Sequence, residues 1–163
     1  MKIIKPIFIF LLLINNLSLF AQLTAGLHDI NCITVPLNSE TAYQQSLSYL
    51  HNNDFFILSL DKSSGFIQAK KYIEINKVFS SKAGERLTLN FLITSVSQEE
   101  SKITLVIYKE TRRVASISGK DISTSYIYYY EDNGISTDLL FYERILEELE
   151  ESIEINIMTE KEK

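Results

Sequence analysis

The sequence predicts an α+β fold: an antiparallel sheet of about five strands with two helices packed on one face. Three observations carry this. Two stretches, 55–73 and 87–110, alternate apolar and polar residues and break at a polar turn, the pattern of β-hairpins. Two other stretches, one early and one C-terminal, repeat apolar residues every three or four positions, the period of a helix lying on a core. Strands grouped as hairpins, with helices outside them, put both helices on one face of an antiparallel sheet. The predicted order is β-α-β-β-β-β-α.

The chain opens with an export pattern. Lys2 and Lys5 precede the apolar run "PIFIFLLLI", Asn15 and Asn16 interrupt it, and "LSLFAQ" offers cleavage after Ala21, with Ala25 as a second choice. A spanning helix needs about 20 continuous apolar residues, so residues 1–21 are expected to be a signal peptide rather than an anchor. That makes the protein secreted and periplasmic, with no membrane span after cleavage. Residues 22–156 are expected to form one domain and 157–163 a polar tail.

"HDINCITV" (28–35) reads as the first strand, stopped by Pro36. "PLNSE" starts a helix, with Asn38 or Ser39 as the cap and Glu40 in its first turn. Tyr43, Leu47 and Leu50 give it one apolar stripe beside Ala42, and Asn52 and Asn53 end it. In the first hairpin, Phe56, Leu58 and Leu60 alternate along one strand, "DKSSG" turns the chain, and Phe66–Ile73 returns. Gly65 supplies the positive φ that such a turn often requires. The polar connection "SSKAGE" holds Gly84. In the second hairpin, Leu87, Leu89, Phe91 and Ile93 share a face, "QEES" turns, and Ile103, Leu105 and Ile107 share a face of the return strand. That strand extends past Arg112–Arg113 toward "VASIS". Leu139, Tyr142, Leu146, Leu149 and Ile153 define the last helix, with Ser136, Thr137 and Asp138 as caps. Its outer face carries Glu143, Glu147 and Glu151 at four-residue spacing, a like-charge ladder that packing must hold in place.

Charge is uneven. The formal net charge is -5, and the C-terminal helix holds most of the excess acid. No basic footprint for nucleic acid is present. Cys32 is the single cysteine. It excludes an intramolecular disulfide, lacks the position of a lipid-anchoring residue, and reads as a small apolar filler of the first strand.

The export signal, the helix ending in "YLHNNDFFILSLD", the turn "DKSSGFIQAK", two hairpins and an amphipathic closing helix resemble a family: the small secreted Bacteroidota domains of unknown function with a TBP-like fold. The resemblance covers most of residues 28–155, and "LDKSSGFIQAK" is its most specific piece. It implies a fold and a compartment but no chemistry. The tyrosine-rich segment described next has no counterpart in it.

Catalytic motifs are lacking. His28 and His51 are the two histidines. They form no metal-binding pair, His51 suits a helix C-terminus, and no cofactor is implied. Asp54 and Asp61 end strands, where glycosidases place carboxylates, but Asp is also a routine turn residue. "EDNG" (131–134) reads as a turn rather than a calcium loop. "STSYIYYYEDNG" remains. Tyr126, Tyr128 and Tyr130 fall on one side of an extended chain, with Ile127 and Tyr129 on the other. The segment is either one more edge strand packed on the sheet or an exposed recognition surface, since tyrosine gives large amphipathic contact area with few torsions to freeze. The candidate binding residues are therefore Tyr126, Tyr128, Tyr129 and Tyr130, with Arg112 and Arg113 beside them. The expected function is non-enzymatic binding of an envelope protein or polysaccharide. The alternatives are an inhibitor or accessory subunit that uses the acidic helix, and a carboxylate enzyme acting on carbohydrate or peptidoglycan.

Overall fold

The computed structural model describes residues 30–75, 80–118 and 124–161. The export segment, its cleavage points and His28 lie outside them. The chain runs β1 (Cys32–Val35), α1 (Ser39–Asn52), β2 (Phe56–Asp61), β3 (Phe66–Glu74), β4 (Lys82–Ser95), β5 (Ser101–Ser118), β6 (Thr124–Ile135) and α2 (Leu139–Lys161). The fold is α+β: one antiparallel sheet of six strands and two helices, the tyrosine segment supplying the sixth strand.

Alternation builds the core as expected. Ile67 and Ala69 of β3, Leu87 to Ile93 of β4 and Ile103 to Ile107 of β5 turn every second side chain inward, and each of those is buried. Ala42, Tyr43, Tyr49 and Leu50 of α1 and Tyr142, Ile145, Leu146, Leu149 and Ile153 of α2 close over that face. Leu47 is only partly buried, and Leu139 is exposed. Residues of the other parity, such as Gln68, Asn90 and Thr104, are half-buried on the face away from the two described helices.

Local signals fix the elements. Asn38 caps α1 by accepting from the Thr41 amide at 2.9 Å, and the Asp138 carboxylate accepts from the Phe141 amide at the start of α2. Gly65 has φ +73°, and a Cβ there would lie 2.1 Å from the Ile93 carbonyl oxygen, so the tight turn against β4 demands glycine.

Several boundaries differ from expectation. β1 is four residues long because pairing with β5 begins only at Cys32. Gly84 lies inside β4 rather than in a loop, and the Tyr72 ring lies across it. "EDNG" is not a turn: it belongs to β6, where the register shifts between Lys109 and Glu110 of β5. α2 continues through Lys161.

The sheet order is β1-β5-β4-β3-β2, with β6 also paired to β5. β5 has 18 residues, and its outer edge is shared end to end. β1 takes Ser101–Thr104 and β6 takes Tyr108–Ser118. Between them the edge is filled by other groups. The Leu105 amide donates to the Asn31 carbonyl at 2.8 Å, and the Ile107 carbonyl accepts from the Ser136 amide at 2.8 Å. The Ile107 amide donates to the Tyr142 hydroxyl at 3.0 Å, in the buried core. Beyond this junction the sheet projects past the helices as a wing formed by the end of β3, the start of β4, the second half of β5, and β6.

Candidate functional site

The wing carries the tyrosines. β6 pairs antiparallel with β5 so that Tyr126, Tyr128, Tyr129 and Tyr130 face Ser116, Val114, Arg113 and Arg112. The segment is a strand, and it is also exposed: Tyr126 is 67% accessible and Tyr130, the least accessible of the four, 44%. The segment is thus an edge strand, but its rings are exposed rather than packed on the sheet. Among the described residues no further layer packs over Tyr126–Tyr130 on either side of the sheet. Ile127 and Tyr129, on the helix side of the sheet, are as exposed as their neighbours on the open side.

On the open side rings and guanidinium groups interleave. The Arg112 guanidinium lies 4.0 Å from the centre of the Tyr128 ring, and that of Arg86 lies 4.0 Å from the centre of Tyr130. The first is a diagonal contact between the neighbouring strands β5 and β6, whereas Arg86, on β4, reaches over β5 to Tyr130 on β6. Arg112 also donates to the Tyr72 hydroxyl at 3.0 Å, and that hydroxyl in turn donates to the Ala83 carbonyl at 3.3 Å. Tyr72 can lie this low because Gly84 has no side chain. A Cβ there would meet its hydroxyl at 2.3 Å.

Charge is partly matched. Arg86 grips Glu110 through two parallel hydrogen bonds, a pairing with defined geometry as well as attraction. Arg113, on the helix side, pairs with Glu131. Arg112 forms no ion pair with a carboxylate among the described residues; its hydrogen bond to Tyr72 raises its pKa, so it stays charged. Glu85 lies between Lys82 and Lys109. Burial pushes that carboxyl up, and the hydrogen bonds from Lys109 and Lys82 together bring it below its ordinary value. At the foot of the wing, the Tyr108 hydroxyl and the Gly134 amide hold Asp132 below the usual carboxylate range.

The six sequence-predicted residues therefore share one wing but not one side. Tyr126, Tyr128, Tyr130 and Arg112 share the open side, and Tyr129 and Arg113 lie behind it. Sequence reasoning missed Tyr72, Arg86 and Glu110. Each is one polar residue in an alternating strand, and only the strand register shows that they meet.

The other candidates are accounted for locally. Asp54 turns the chain after α1 with φ +59°. Asp61 caps the β2–β3 turn, where the hydroxyls of Ser63 and Ser64, at 2.6 and 2.8 Å, take its pKa down to about 2. A polar cleft of about 410 Å³ lies above that turn; Glu40, on its rim, pairs with Lys62 at 2.6 Å. Among the described residues no group of three His, Cys, Asp or Glu side chains could hold a metal ion. Among the same residues no helix is long and apolar enough to cross a membrane.

Fold and surface together define a two-layer α+β domain that displays an uncovered strand of tyrosines stacked with arginines. Compared with known protein families and with curated proteins, the sequence matches none of either.

Proposed function

We propose that this is an exported, periplasmic, non-enzymatic domain that holds a macromolecular partner, an envelope protein or a polysaccharide, on the open side of the wing. The observation that carries this reading is the set of exposed rings of Tyr126, Tyr128 and Tyr130, two of them held by the guanidinium groups of Arg112 and Arg86. Tyrosine and arginine are the residues that binding surfaces concentrate, because they offer contact area and hydrogen bonds at small entropic cost. Stacking immobilises these side chains before any partner arrives, which lowers the cost of binding further. The export signal and the resemblance to small secreted domains support the compartment.

The test is crosslinking with mass spectrometry in the native envelope, comparing the protein with a Tyr128→Ser/Tyr130→Ser variant. Loss of a crosslinked partner from a variant that melts normally supports the reading. An unchanged partner set removes it.

A second reading rests on α2. Glu143, Glu147 and Glu150 edge a small groove floored by Ile30, Ile33 and Leu146, which suits a basic amphipathic segment of an enzyme or assembly machine. Binding there would weaken steeply with salt, whereas binding to the tyrosines would not.

A further inference from the structure

We infer that the protein forms a two-fold dimer by pairing the free edge of β6 with the same edge of a second copy, antiparallel and centred on Tyr128. The inference goes beyond the binding surface proposed above and needs no ligand.

The sheet has two long-range edges, and they are treated differently. β2, at one end, is six residues long, and its pairing is broken by an irregularity between Ile57 and Ser59. Short length and a bulge are devices that keep an edge from recruiting another strand. β6, at the other end, is 12 residues long and pairs with β5 without a register shift from Thr124 through Glu131. Its centre, Tyr126–Tyr130, contains no charge, no proline and no glycine. The main-chain groups on its outer side are a template for one more strand, and among the described residues no blocking device is present where the template is longest.

The residue pattern selects the occupant. Read in either direction from Tyr128, the segment is self-complementary. An antiparallel second copy sets Tyr126 against Tyr130, Ile127 against Tyr129, and Tyr128 against itself. Every one of these pairs is aromatic with aromatic or aromatic with β-branched, the cross-strand combinations that stabilise sheets. Moving the axis three residues toward the C-terminus would oppose Glu131 to Glu131, a like-charge pair. Centring on Tyr128 leaves the acidic Glu131 and Asp132 of both copies outside the middle. The contact is isologous and closes on itself, so it ends at two copies.

The geometry allows it on both sides. Ile127 and Tyr129 are each 48% exposed on the helix side, so neither described helix stands over the strand to be joined. An axis perpendicular to the sheet leaves the helices of both copies on the same side. On the other side it merges the two ring-and-guanidinium surfaces into one, with six tyrosines from β6 across the junction.

Sedimentation velocity of the purified protein over a range of micromolar concentrations tests the proposal. The expected mass is twice that of the single chain. Tyr128→Lys and Tyr128→Glu each place like charges on the axis and should weaken the dimer at least about ten-fold. An equal mixture of the two variants should restore it, since lysine then faces glutamate. Thermal melts check that each variant folds. If either does not, Tyr128→Cys in a Cys32→Ser background supplies the second readout. It should oxidise to a covalent dimer, because residue 128 faces itself within disulfide range. Tyr126→Cys, which faces residue 130, should not. A wild-type protein that stays monomeric, a dimer indifferent to both charged variants, or failure of the Tyr128→Cys bridge in a dimeric protein overturns the proposal. None of these outcomes bears on whether a single copy binds its partner through the tyrosines, which the envelope crosslinking reads separately.

Discussion

Replacing Tyr142 with Phe removes one oxygen atom from a site that is otherwise unchanged. The ring is 1% exposed and keeps its packing against β5. Its hydroxyl accepts from the Ile107 amide, and Ile107 is fully buried. That amide lies at the point where β1 has ended and β6 has not begun, so no strand carbonyl replaces the lost acceptor. A buried donor left unsatisfied costs about 1–3 kcal/mol. For a domain of this size that corresponds to a fall in Tm of roughly 3–5 °C per kcal/mol. Urea unfolding should show a lower midpoint with an unchanged slope, because the surface exposed on unfolding is the same. Amide exchange at Ile107 should accelerate more than at Ile103, which pairs with both β1 and β4. A loss below about 0.5 kcal/mol would refute the reasoning; it would mean that water or a shifted carbonyl satisfies the amide.

Three further outcomes are expected. Gly134→Ala and Gly65→Ala both place alanine at φ +73°, but the first meets nothing within 4 Å while the second collides with the Ile93 carbonyl. Chemical denaturation should therefore show a loss of about 1–2 kcal/mol for Gly134→Ala and a clearly larger one for Gly65→Ala; equal losses would contradict the contact. Asp61 has a folded-state pKa of about 2, below its unfolded value, so its contribution is present above the unfolded pKa and is lost as pH falls toward 2. The melting difference between wild type and Asp61→Asn should accordingly shrink from pH 5 to pH 2; a difference that grows on acidification would reverse the assignment. Glu147→Lys breaks the Glu143–Glu147–Glu151 ladder on the exposed face of α2 and should stabilise by a few tenths of a kcal/mol at low salt. Melts repeated in high salt should erase that gain, and a gain that persists would point to something other than charge.

The helix-covered half of the sheet was legible because one face of it is buried. Leu87, Leu89, Phe91 and Ile93 must point one way, and their polar neighbours the other, so composition reports geometry. Tyr126–Tyr130 is exposed on both sides of the sheet and carries aromatic residues on both. Alternation therefore vanishes there, and strand and loop looked alike. The same cause hid Gly84: in a loop and under a tyrosine ring it is the same letter, and only the pairing of Tyr72 with Arg86 shows which. β2 shows the converse. Its spacing of Phe56, Leu58 and Leu60 suggested a regular face, yet the irregularity at Leu58 sends them in different directions and all three are exposed. Arg86 and Glu110 could not be assigned to the tyrosine surface without register, because they are 24 residues apart and belong to different strands.

The shared outer edge of β5 divides the domain into regions that open at different cost. Residues 101–107 are clamped between β4, β1 and both helices, so exposing their amides requires dismantling the core. Residues 108–118 are paired with β4 and β6, and of their described side chains only Thr111 is buried. Protection from exchange should therefore fall along a single strand, from the global unfolding free energy at Leu105 to a smaller, local value at Val114. Tyr142 stands at the border between the two regimes. The wing can consequently fray, accept substitutions or change its rings while the packed half stays folded. The strand of tyrosines is in this way insulated from the part of the molecule that keeps the fold in one piece.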